Sequence, residues 1–131
     1  MRVRSSLLEA GAIGAGAVLA IVIALPAALV GEAAADGDDD PSAVVLLCFV
    51  VVLVAFVAGG YLAARRAADA PYSNGAVAAL AGFALIQLGG VVANVLQDDP
   101  IHVASIVFSA LLAIASGLVG ALLATRQPTR T

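Results

Sequence analysis

The chain has 131 residues, of which 63% are hydrophobic and 11% charged, and its mean hydropathy is +1.10. A soluble domain is about half apolar and about a quarter charged, so this chain has too little polar surface to coat a globule in water, and the surplus apolar surface must face lipid. One His, one Cys and no Lys or Trp leave few groups for chemistry, and a net charge of −3 without a basic stripe excludes a nucleic-acid partner.

Arg2, Arg4 and Glu9 precede a first apolar span at 10–31, and further spans follow at 43–64, 74–97 and 101–124. Their lengths of 22 to 24 residues correspond to about 33–36 Å of helix, enough for a hydrocarbon core of about 30 Å. Lipid offers no hydrogen-bond partners, so each segment must satisfy its own backbone, and runs without period-2 alternation exclude a β-barrel. The sequence therefore predicts an all-α, integral membrane four-helix bundle in a single domain. A cleaved signal peptide is the rival reading of the first span, with Ala33-Ala34-Ala35 as its cleavage site. Signal cores usually run about 7–15 residues, shorter than this one, and the span is expected to be retained.

The bases Arg2, Arg4, Arg65, Arg66, Arg126 and Arg130 all fall on one side of such a bundle. Glu32, Asp36, Asp38, Asp39, Asp40, Asp98 and Asp99 fall on the other, in loops without a base. The positive-inside rule then makes both termini cytoplasmic. Tyr61, Tyr72 and the nearby arginines suit the inner headgroup layer as anchors, with Pro71 and Tyr72 expected in a connection over 65–73.

Pro26 removes the backbone bond to the Val22 carbonyl and should kink the first helix. Two small-residue stripes, Ala12, Gly16, Ala20 and Ala113, Gly117, Ala121, offer smooth faces for close helix contact. A duplication is also suggested. Asp39-Asp40-Pro41 opens the second span and Asp98-Asp99-Pro100 the fourth, with an Arg 24 and 26 residues after the respective prolines. Gly11-Ala12-Ile13 and Gly75-Ala76-Val77 likewise sit near the starts of spans one and three. Two duplicated hairpins would be related by an axis along the membrane normal.

Polar side chains deep in the spans are confined to a candidate seam. Gln87, Gly90, Asn94 and Gln97 share a face of span three, and His102, Ser105, Ser109, Ser116 and Gly120 follow a stripe on span four. Folding about Asp99 brings Gln97 level with His102, Asn94 with Ser105, and Gln87 with the region between Ser109 and Ser116. One reading joins the two helices by amide and hydroxyl bonds; the other makes a path for an ion or uncharged solute, with Gly89-Gly90 permitting close approach or a bend. No acid or base lies deep in a span, which disfavours charge-coupled transport.

The remaining chemistry is sparse. His102 beside Asp98 and Asp99 lacks a second nitrogen or sulfur ligand for a metal. The acidic run over 36–40 lacks the spacing and closing Glu of an EF-hand loop, and reads as a solvated loop. Glu9 reads as a solvated end charge and Cys48 as a small apolar filler. No nucleophile and base pair can be assembled, so neither an enzyme nor a cofactor, metal included, is expected.

The stretch Gly59-Gly60-Tyr61-Leu62-Ala63-Ala64-Arg65-Arg66, followed by Asn74-Gly75-Ala76, resembles the small, functionally unassigned four-helix bacterial membrane proteins of the YrzE type. The resemblance covers the middle third of the chain. It implies a bacterial inner (plasma) membrane protein and transfers no catalytic residue. Small multidrug exporters and dual-topology fluoride channels are of similar size. The former carry a coupling acid within the first span, and both commonly insert in opposed orientations, which an arginine bias this complete forbids. The expected role is a structural or interaction subunit bound to the lipid bilayer, as a homo-oligomer or with a membrane-protein partner. The alternative is a small pore or transporter along the Gln87, Asn94, Ser109 seam.

Overall fold

The computed structural model describes residues 10–35, 42–67, 69–98 and 100–126. Four helices account for nearly all of them: α1 (Ala10–Ala35), α2 (Ser42–Arg66), α3 (Pro71–Leu96) and α4 (Val103–Arg126). All four are long and apolar enough to cross a membrane. The fold is an all-α, four-helix membrane bundle, and no strand occurs among the described residues.

Local chemistry explains where the helix ends depart from the expected spans. Pro71 and Tyr72 do not belong to a connection; Pro71 opens α3, where its fixed φ suits a helix and its missing N–H costs nothing. The carbonyl of Ala70 accepts two bonds from Asn74, one from the backbone N–H (3.0 Å) and one from side-chain Nδ2 (2.7 Å). At its other end α3 stops at Leu96, and Gln97 donates its N–H back to the Ala93 carbonyl at 3.0 Å. Asp98 then takes φ 58°, the left-handed conformation that commonly ends a helix, and Pro100 prevents a restart. Ile101 and His102 consequently precede α4 instead of opening it. α1 runs unbroken through Pro26.

α1 packs on α2 and α3, α4 packs on the same two helices, and α2 meets α3 across the middle, while α1 and α4 do not touch among the described residues. The contacts are made by small residues. A methyl group on Gly59 would stand 2.6 Å from the Gly16 carbonyl oxygen and 2.9 Å from Ala20 Cβ, so α1 and α2 cross backbone to backbone. In the second hairpin a methyl on Gly117 would stand 2.6 Å from the Gly75 oxygen and 2.7 Å from Ala79 Cβ. Between the hairpins, Gly60 lies against the Gly117 backbone, and Gly120 against the backbone of Val57 and Tyr61. No side chain fits at any of these places, and glycine is required there for approach, not for an unusual φ.

Gly75 follows Gly16 by 59 positions, the interval that also separates Pro100 from Pro41, so each hairpin closes on the same kind of crossing. A two-fold axis along the membrane normal would require α1 to meet α4 as α3 meets α2. Only the latter pair packs, and the bundle as a whole departs from that symmetry.

Charge separates by end. Arg65 and Arg66 close α2, Arg126 closes α4 and Asp69 lies in the connection between α2 and α3, whereas Asp98 sits at the opposite end. These are called the basic and acidic ends below. Arg2, Arg4, Glu9, the acidic run over 36–40, Asp99 and Arg130 lie outside the described residues.

Candidate functional site

Among the described residues the buried ones all lie toward the basic end. They fall within 12–24 of α1, 55–64 of α2, 74–82 of α3 and 113–124 of α4, with Ala67 just beyond α2. In the other half of each helix no described residue is buried. The helices therefore separate toward the acidic end, and the space between them is a cavity of about 280 Å³ walled by all four.

Its floor is formed by Phe56 and Ala113, which belong to the core cluster Ala20, Phe56, Ala79 and Ala113, one residue from each helix. Phe83 packs on this cluster and meets Phe56 edge to face, with ring centroids 6.4 Å apart and planes at 66°. α1 supplies a wall of small residues, Ala24, Ala28 and Gly31, and Cys48 on α2 closes over Gly31 with its Cβ 3.1 Å from where a methyl there would stand. Phe49 lies seven residues before Phe56, two helical turns along the same face, and it also lines the space. Three of the chain's four phenylalanines thus converge on one cavity.

Two seam residues face this space. Gln87 of α3 and Ser109 of α4 are both half-buried and both line the cavity. Gln87 lies nine residues before the end of α3, about 14 Å along the helix and within the hydrocarbon depth. Its side chain makes no hydrogen bond to another described residue. Among the described residues no charged side chain lines the cavity.

The rest of the expected seam does not assemble. Gln97, His102 and Ser105 are exposed, Asn94 is half-buried and lies off the cavity wall, and Ser116 is buried in the basic half beyond Ala113. Ala113 interrupts the stripe because the floor cluster fills that level. Gly89 and Gly90 face open space, with nothing within 4 Å of a methyl at either, so they mediate no close approach. The two helices meet instead at Gly75 and Gly117.

Among the described residues the fully buried polar side chain is Asn74, which the seam did not include. Its available signal was position: an amide one turn after the residue preceding Pro71 can fold back on that residue's carbonyl. Nearby, Tyr72 Oη lies 3.1 Å from Thr125 Oγ1, linking α3 to α4. Thr125 has one hydroxyl hydrogen, which it donates to the Leu122 carbonyl at 3.0 Å, so Tyr72 is the donor to Thr125. Arg65 Nη1 donates to Tyr61 Oη at 3.2 Å, and its guanidinium carbon lies 5.8 Å from the Tyr61 ring centroid. This is an aromatic and arginine layer at the depth where such groups anchor a bundle in headgroups.

Among the described residues no three His, Cys, Asp or Glu side chains gather as metal ligands would. Comparison with protein-family models, curated proteins and solved structures finds no match to this chain.

Proposed function

We propose that the protein is a non-enzymatic structural or interaction subunit of a bacterial inner membrane, with both termini cytoplasmic. The orientation is supported by the confinement of all six arginines to segments on one side of the bundle. The bacterial assignment rests on the resemblance of the 59–66 and 74–76 segments to the YrzE-type proteins. Lipid covers the large exposed apolar side chains, and the contacts open to a membrane-protein partner or a second copy are those of the separated acidic half. No nucleic acid and no cofactor takes part.

The observation that carries this reading is the glycine-sealed basic half. Backbone stands against backbone at Gly16 and Gly59, Gly60 and Gly117, and Gly75 and Gly117, and this close packing of the described helices supports the absence of a polar route from the cavity to the arginine end. A pore along Gln87, Asn94 and Ser109 would need such a route.

Native mass spectrometry from mild detergent tests the subunit reading, with a defined oligomer or a stoichiometric partner as the expected result. Proteoliposomes should be no more permeable to glycerol or potassium than empty vesicles. Flux that disappears in Gln87→Leu would replace the subunit with a pore. A reporter fused to the carboxyl end should be active in the cytoplasm, and periplasmic activity would reverse the orientation.

A further inference from the structure

We infer that the acidic-end cavity is a binding site for a lipid-dissolved ring compound of benzene-to-naphthalene size that carries a carbonyl or hydroxyl oxygen. Size comes first. An apolar cavity of about 150 Å³ stays dry and accepts a benzene, and this one, at about 280 Å³, has room for a second fused ring. Phe49, Phe56 and Phe83 on its walls favour a flat aromatic guest, since rings gain from edge and offset contacts beyond the area they bury.

Polarity supplies the second, independent observation. The Gln87 amide lies at hydrocarbon depth without a hydrogen-bond partner among the described residues, and Ser109 lines the same space. An amide that faces hydrocarbon without a partner is disfavoured, and a guest that pairs with it relieves that cost. A guest oxygen would accept from Gln87 Nε2 or Ser109 Oγ, and a guest hydroxyl could donate to either oxygen. An unsubstituted alkyl chain would fill the volume and leave the amide unpaired. The floor of Phe56 and Ala113, packed on Ala20 and Ala79, closes the site toward the arginine end, so the guest enters from the lipid or from the acidic face. This site holds whether or not the chain has a protein partner.

The full chain in dodecyl maltoside is titrated with 1-naphthol and, in parallel, with naphthalene, which has the same rings without the hydroxyl. Naphthol fluorescence is read without interference because the chain has no Trp, and protein-free micelles correct for partitioning. One saturable site per chain is expected, together with slower alkylation of Cys48 by N-ethylmaleimide when the site is full. Gln87→Leu should weaken naphthol about 3- to 10-fold, the effect of one hydrogen bond, and leave naphthalene within about twofold. Ala28→Phe, or Ala27→Phe if the first fails to give native helix content, should abolish both by filling the space. The inference is overturned by any of three results: no saturable binding above the micelle background, undiminished binding in a folded cavity-filling variant, or equal losses of both probes in Gln87→Leu. Retention of one phospholipid per chain that naphthol does not displace would assign the cavity to an acyl chain and overturn it as well.

Discussion

The two halves of the bundle have similar apolarity and opposite packing. Toward the arginine end, α1 to α4 present Ala12, Gly16 and Ala20, then Ala55, Gly59 and Ala63, then Gly75 and Ala79, then Ala113, Gly117 and Ala121, and every one of these is buried. Toward the acidic end the same helices carry Leu25, Leu29, Leu46, Leu47, Leu88 and Val107, all exposed. In water such residues would be driven together. In lipid, where the surrounding tails are as apolar as leucine, burying them gains little, and helices hold where small residues admit close backbone approach. Packing in this protein therefore follows side-chain size, and hydrophobicity does not discriminate between the halves.

Breaking that comparison should have its largest effect at Gly120. Its absent methyl would collide with the Val57 carbonyl, and no flexible side chain is there to yield. Gly120→Leu should destabilise the bundle by about 3 kcal/mol or more, read as loss of the monodisperse folded species on denaturant titration. Asn74→Ala comes next. It removes the amide bond to the Ala70 carbonyl from a fully buried position and should cost about 1–3 kcal/mol in the same titration.

The open half should respond with the opposite sign. Gly89→Ala and Gly90→Ala place methyl groups in empty space and should each raise stability by about 0.5–1 kcal/mol through reduced backbone freedom. A loss comparable to that at Gly120 would mean that these glycines pack against something in the membrane. The smallest effect is expected at Asp98, whose φ of 58° suits glycine better. Asp98→Gly should stabilise by at most about 1 kcal/mol, visible as a small upward shift of the midpoint.

Much of this was legible in the residues. The spans differ from the helices by a few positions at each end, because Pro71 can begin a helix as readily as it marks a connection. The stripes on α1 and α4 were readable from their spacing of four, and the matching stripe Ala55, Gly59, Ala63 on α2 follows the same rule. The seam was legible only as two polar stripes at similar depth. Depth places Asn94 level with Ser105, but facing depends on the crossing, and Gly75 against Gly117 holds α3 and α4 together far from that level.

The order of residues along the chain is enough to put four helices in lipid and to gather the arginines at one end, since the first follows from transfer free energies that each residue carries wherever it stands and the second from which loops hold the bases. Which polar groups meet was decided by the tertiary structure. The rotation and separation of a helix in a membrane are set by whichever neighbour offers a gap at the same height, a property of pairs of surfaces. Gln87 and Ser109 line one cavity and Asn94 lies off its wall, because the helices close at the glycines and separate at the other end of the bundle.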